Sequence, residues 1–201
     1  MQQDSIFTGG FADPVFEAQA VFRTVMDGLA NPGRIGTVDG AAQAPASVPK
    51  AMAALALTLL DHDTPVLLGP GLRDTPFAAW LAFHTGAPLA DNAFDAAFAL
   101  WLKAGGFPGF EGLAIGSDEY PDRSTTVIAE IPALEGGPPL LARGPGIRGS
   151  ITLSPSGLPA DFVRRWQENN ALYPRGIDLV LVSGDRMLCL PRTTRLQAME
   201  G

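Results

Sequence analysis

Between residues 177 and 190 the chain reads Ile177-Asp178-Leu179-Val180-Leu181-Val182-Ser183-Gly184-Asp185-Arg186-Met187-Leu188-Cys189-Leu190. Two strand-like runs flank Gly184-Asp185, and two residues of that kind between two such runs form a β-hairpin. The first run is apolar on both of its faces. A strand of that character is covered on both sides, which places it in the centre of a sheet with a layer packed against each face. Strands are also expected at residues 125–131, where β-branched residues fill the middle, at 140–143 and at 149–153. Residues 159–172 read as a helix, with Phe162, Val163 and Trp166 on one face and Arg164, Arg165 and Glu168 largely elsewhere.

The first half interleaves helices with strands. Asp13-Pro14 opens a helix, since Asp caps free N–H groups and Pro is tolerated at the first helical position. Val15, Ala18, Phe22, Val25, Met26 and Leu29 then recur at helical spacing as one apolar face, and Asn31-Pro32-Gly33 stops the helix. A short strand over 34–38 follows. Residues 48–60 form a second helix, apolar nearly all round and therefore buried. Residues 65–68 read as a strand, 76–84 as a third helix ended by Gly86 and Pro88, and 93–102 as a strand. The Gly-rich stretch 104–117 is expected to hold one short helix. The pattern is that of a three-layer αβα domain with a mixed sheet, one domain over residues 1–201 with its ordered core at about 13–196.

The net charge of −7 argues against a nucleic-acid or anionic-membrane binder. Basic groups gather in the second half: residues 1–100 hold 4 basic and 10 acidic side chains, residues 101–201 hold 10 and 11. Twelve of the 14 basic residues are Arg, whose planar fork suits phosphate and carboxylate. A single cysteine, Cys189, excludes an internal disulfide and a multi-thiolate metal site. Met1-Gln2-Gln3-Asp4 lacks the basic start and apolar run of a signal peptide, and the longest apolar stretch, 51–60, is about half a bilayer span. A cytoplasmic protein is expected.

The catalytic inventory is thin. No G-x-S-x-G elbow and no P-loop pattern is present, and Gly144-Pro145-Gly146 is only a fragment of a dinucleotide fingerprint. His62, between Asp61 and Asp63, reads as a turn rather than a metal site, and His84 as a helix C-terminal residue. A Schiff-base role for Lys50 or Lys103 lacks a convincing anchor, so no catalytic residue, metal or cofactor is assigned. Three polar clusters lie at strand ends: Tyr120-Pro121-Asp122-Arg123-Ser124, then Arg143-Gly144-Pro145-Gly146-Ile147, then Pro191-Arg192-Thr193-Thr194. Open α/β sheets bind ligands at strand ends. Tyr120, Arg123, Ser124, Arg143, Arg192 and Thr193 are therefore the candidates for gripping a phosphate-rich ligand or a partner's carboxylates. The competing reading is turn chemistry, in which Arg–Asp pairs stitch loops, for example to Asp122 or Asp178. Apolar surface for a partner is sought at Phe107, Phe110 and Leu113, or at Trp80 and Trp101.

Together these segments resemble a known family. Phe22-Arg23 with Met26 and Asn31-Pro32-Gly33, then Leu60 to Val66 (L-D-H-D-T-P-V), then Phe83-His84-Thr85-Gly86-Ala87-Pro88, match its motifs in order. They are followed by Tyr120 to Ser124, Gly144 to Ile147, Pro174-Arg175-Gly176-Ile177-Asp178 and Leu190 to Thr194. The matches span about residues 14–195 and resemble the PhnH family of the bacterial carbon–phosphorus lyase core complex. The resemblance implies a role in alkylphosphonate breakdown beside sibling subunits G, I and J. That system joins a phosphonate to the ribose of ATP, giving a ribose 1-phosphonate 5-triphosphate. The resemblance also implies a homodimer in isolation. It implies a fold similar to the large domain of pyridoxal-phosphate transferases, without the cofactor, and assigns no catalytic residue.

Overall fold

A computed structural model of the chain describes residues 8–39, 43–45 and 47–199. In chain order its elements are α1 (Pro14–Ala30), β1 (Ile35–Thr37), α2 (Lys50–Leu59), β2 (Val66–Leu68), α3 (Pro76–Thr85), β3 (Phe98–Trp101), β4 (Thr126–Glu130), β5 (Leu140–Arg143), β6 (Ile151–Leu153), α4 (Phe162–Ala171), β7 (Asp178–Ser183), β8 (Arg186–Leu190) and β9 (Arg195–Ala198). Among the described residues six strands form one mixed sheet in the order β1-β8-β7-β4-β3-β2, and three form a smaller one in the order β6-β5-β9. Strands β2, β3, β4 and β7 run parallel, while β8 and β1 close one side antiparallel.

The hairpin lies where its composition requires. Leu179, Val180, Leu181 and Val182 are each at most 1% exposed. Alternation along the strand splits them between two cores. Val180, Val182, Met187 and Cys189 face α1, α2 and α3. Leu179, Leu181, Leu188 and Leu190 face Phe162 and Trp166 of α4 and the small sheet, through Leu140, Ala142 and Leu196. The second layer is thus one helix beside a three-stranded antiparallel sheet, where the sequence pattern predicts helices alone. Gly184 supplies the positive φ (63°) at the first central position of the turn, as a type II′ hairpin needs.

Several sequence expectations are corrected. The buried face of α1 is Val21, Val25 and Gly28. Val15, Phe22 and Met26, expected in the core, are instead 75%, 49% and 50% exposed, and Phe16 is exposed beside them. The helix carries two apolar stripes, and the one with the small Gly28 is the one that fits, because it lets the backbone approach Cys189. Residues 93–95 form a 3₁₀ turn, and only Phe98–Trp101 is strand. In the stretch 104–117 the expected helix is replaced by a short 3₁₀ turn, Lys103–Gly105, followed by loop. Phe107, Phe110 and Leu113, expected as exposed apolar surface, are half-buried or buried instead. Phe107 and Phe110 pack edge-on against Phe162 (5.4 and 6.5 Å between centroids) and Leu113 is buried. Trp80 is fully buried. Strand β9 has no counterpart among the expected elements.

The Gly144-Pro145-Gly146 turn holds the end of α1. A Cβ on Gly146, whose φ is +80°, would lie 2.1 Å from the Ala30 carbonyl oxygen. Gly184 also has a positive φ but nothing within 4 Å of where its Cβ would be. Backbone strain alone at Gly184→Ala should cost about 1–2 kcal/mol. Gly146→Ala adds a backbone clash and should cost roughly 3 kcal/mol or more. Urea midpoints of the two variants against the parent measure the difference.

Candidate functional site

The first and third polar clusters converge on one arginine. Asp178 opens β7, and its carboxylate accepts from the Arg192 backbone N–H (2.7 Å) and from Arg192 Nε (3.2 Å) and Nη2. Arg192 Nη2 also donates to the Ser124 hydroxyl (2.5 Å), and Nη1 donates to the carbonyls of Pro121 (2.8 Å) and Pro174 (3.4 Å). Five side-chain hydrogen bonds match the five N–H donors of a guanidinium. Arg192 and Asp178 are 13% and 22% exposed, and Ser124 is buried. This knot sits at the amino ends of parallel strands β4 and β7, the opposite edge from the one where open α/β sheets take ligands. It joins three loops to the central strand and leaves no guanidinium donor over.

Tyr120 and Arg123 lie outside the knot. The Arg123 guanidinium stands 4.1 Å from the centroid of the exposed Tyr120 ring, a cation–π contact. The structure brings Arg143 and Thr193 together elsewhere, on the small sheet. There an open cleft of about 770 Å³ is lined by Leu141, Arg143, Thr193, Arg195, Gln167 and Tyr173, among others. Arg143 and Arg195 are directly opposed in the β5–β9 register, so both side chains leave the same face. Among the described residues neither guanidinium has an ion pair or a hydrogen bond. Arg195 escapes the sequence reading because β9 does. Its signal is the alternation Arg195-Leu196-Gln197, with only Leu196 of the three buried. The third polar cluster therefore divides: Arg192 turns into the knot and Thr193 towards the cleft.

The remaining candidates hold turns. Asp61 accepts from the Asp63 N–H (3.0 Å) and the Thr64 hydroxyl (2.5 Å). These two bonds, that from Thr64 above all, hold its carboxyl below the usual range. His62 pairs with Asp63 at 3.3 Å. His84 packs against Trp80 at 4.8 Å between centroids, near the end of α3. Lys103 pairs with Glu130 at 2.6 Å. Cys189 is buried in the core, and burial, reinforced by the charge of Asp178, pushes its thiol up to about 12.

With this geometry in place, comparison with known proteins identifies the family. Residues 9–197 match the family model described as bacterial phosphonate metabolism protein (PhnH). The chain belongs to the PhnH family. A Rhizobium meliloti (strain 1021) protein, the alpha-D-ribose 1-methylphosphonate 5-triphosphate synthase subunit PhnH, is 53% identical over 195 residues, covering 97% of this chain and 98% of its own. HtxG of Stutzerimonas stutzeri, provisionally named a C-P lyase subunit protein, is 39% identical over 82 residues, 41% of this chain and 42% of its own. PhnH membership agrees with the family that the ordered motifs resemble.

Two outcomes are expected. Arg192→Ala strands the Asp178 carboxylate and should destabilise by about 2–4 kcal/mol, with part restored in Arg192→Ala/Asp178→Ala; a double-mutant cycle in urea reads this. For Cys189, the unfolded thiol titrates near 9.0 and the folded one near 12. The unfolded state therefore releases its proton first. The contribution is complete below pH 9 and is lost as pH rises from 9 towards 12. Cys189→Ala should flatten that part of the stability–pH curve relative to the parent.

Proposed function

We propose that this chain is a subunit of a carbon–phosphorus lyase core complex, the transferase assembly that makes a ribose 1-phosphonate 5-triphosphate during alkylphosphonate catabolism. Its role in that complex is structural, through the surfaces it offers to subunits G, I and J. The observation that carries this reading is the 53% identity to the Rhizobium protein along nearly the whole of both chains. The chain pairs as a homodimer when isolated, works in the cytoplasm and has no activity alone. Among the described residues no helix is long and apolar enough to cross a membrane. The mixed six-stranded sheet with layers on both faces supports kinship with the large domain of pyridoxal-phosphate transferases.

The surface that suits assembly is the solvent side of α1. Val15, Phe16, Phe22 and Met26 are exposed there, and Phe83 is exposed on α3 in the same layer. Exposed apolar side chains grouped on one element mark interaction sites.

A second reading, a ligand-binding contribution of arginines to a triphosphate-bearing sugar site, is favoured by one observation: Arg143 and Thr193 line the cleft on the small sheet. Arg192 and Ser124 serve that reading only as the frame behind it, because the Arg192 donors are all engaged and one of them is bound by the buried Ser124 hydroxyl.

The test is co-expression with subunits G, I and J, followed by sizing and assay. Phe16→Glu/Phe22→Glu should keep the melting temperature, since both side chains are exposed, and lose co-purification. Turnover of ATP and a phosphonate by the chain alone would sink the subunit reading. So would full activity of the G, I and J assembly lacking it.

A further inference from the structure

We infer that the outer face of the small sheet is a binding site for a multiply charged phosphate oxyanion, held between Arg143 of β5 and Arg195 of β9. The inference deepens the ligand reading above and does not depend on the subunit reading. In an antiparallel pair, residues directly opposite have Cβ atoms about 4.5–5.5 Å apart, and like charges placed there repel. Arg143 and Arg195 occupy such a position. Six of the other eight cations of the second half are matched to carboxylates, namely Lys103 to Glu130, Arg164 and Arg165 to Asp161, Arg175 to Asp118, Arg186 to Glu135 and Arg192 to Asp178, while Arg123 lies on the Tyr120 ring and Arg148 stands outside the cleft. Among the described residues no carboxylate lines the cleft in which the facing pair stands.

The pair alternates correctly for a shared face. Ala142 and Leu196, the neighbouring register pair, turn into the core. Leu141 and Gln197 turn out with the arginines, as the next pair but one requires. The cleft therefore offers two guanidinium forks on an outward sheet face, and its lining also includes the hydroxyl-bearing Thr193 and Tyr173 and the apolar Leu141 and Pro145. Its volume of about 770 Å³ falls within the range of small-molecule sites. A monovalent carboxylate would satisfy one fork and leave the other charge uncompensated. An anion with two or more charges and oxygens on several sides bridges both, and the apolar lining leaves space for an uncharged body attached to it.

The experiment uses the full chain with sodium tripolyphosphate, with sodium chloride and acetate at matched ionic strength as controls. Melting temperature and calorimetric titration are read together. Tripolyphosphate should raise the melting temperature where the controls do not. Arg143→Gln and Arg195→Gln should each weaken its binding by about tenfold to a hundredfold. Unliganded Arg195→Gln should melt no lower than the parent, because it removes a repulsion; a merely structural arginine would melt lower. Should a glutamine variant fold poorly, Arg195→Lys keeps the charge, loses the fork and should bind with intermediate affinity. The inference fails if tripolyphosphate acts no more strongly than the controls, or if its effect survives unchanged in both glutamine variants. It fails as well if the variants bind no differently from the parent but lose co-purification with subunits G, I and J. That last result makes the pair a contact for an acidic protein surface, and it leaves the subunit reading standing while the ligand reading falls.

Discussion

Strand β7 has no side that water can be allowed to reach. Its four central residues alternate between two cores and all need cover. Each buried aliphatic side chain contributes about 1.5–3 kcal/mol only when that cover is complete. The two layers follow from this requirement. On one side the Ala-rich helix α2 is buried at every position from Ala51 to Ala56, and its small side chains let it lie close beneath α1 and α3. On the other side the cover is assembled from pieces: the Phe162–Trp166 stack, two phenylalanines from a Gly-rich loop, and the inner face of the small sheet. Such a composite layer lacks the continuity of a helix pair, so something must fix its pieces to the strand they cover.

That fixing is polar, and it occurs at the start of β7. Asp178 draws in Arg192, and Arg192 holds the loops that carry Pro121, Ser124 and Pro174. Helix α4 is tied to the same region, because Trp166 Nε1 donates to the Thr194 carbonyl and Asn170 Nδ2 to that of Arg192. Asn169, buried behind them, exchanges two hydrogen bonds with Ile177 and approaches Gly176 too closely for a Cβ. A mostly buried ion pair adds little net stability over an apolar replacement. Its value here is geometric, since five directed bonds set loop positions that apolar contacts alone would leave loose.

The sequence made the hairpin, α2, the Pro-capped starts of α1 and α3 and the αL glycine after α3 legible, because each is a local rule in which propensity and pattern agree. It hid three features for physical reasons. The two apolar stripes of α1 are similarly hydrophobic, and only the packing of Gly28 against Cys189 selects one. Phe107 and Phe110 sit in a loop with no periodicity, and their partial burial depends on α4, far along the chain from them. Strand β9 has four residues, only one of them buried, so its identity comes from pairing with β5. The six candidate residues divided for a related reason. A guanidinium fork binds a main-chain carbonyl, an internal carboxylate or a ligand oxygen by the same bonds. Residue type names the chemistry, and only the fold says which partner is present.

Charge gives the last link between architecture and function. The chain is acidic overall, at −7, so an anion approaching from beyond the Debye length of about 8 Å at physiological salt gains nothing from the protein's net field. Among the described residues the unmatched cations of the second half are confined to a few places: Arg143 and Arg195 in the cleft, Arg148 on the loop after β5, and Arg123 on its tyrosine ring. A positive patch of that kind on an acidic body attracts only over short distances and rewards partners that come into contact. Its occupant must then be held by the forks themselves. At 4 Å, two unit charges interact by about 1 kcal/mol in water and by about 4 kcal/mol at an effective dielectric of 20. The interaction therefore strengthens severalfold as water leaves. A neighbouring protein that closed over the small sheet would supply that dehydration. That surface is distinct from the outer side of α1, which belongs to the layer on the opposite face of the central sheet, so anion binding and assembly through α1 do not compete for one face.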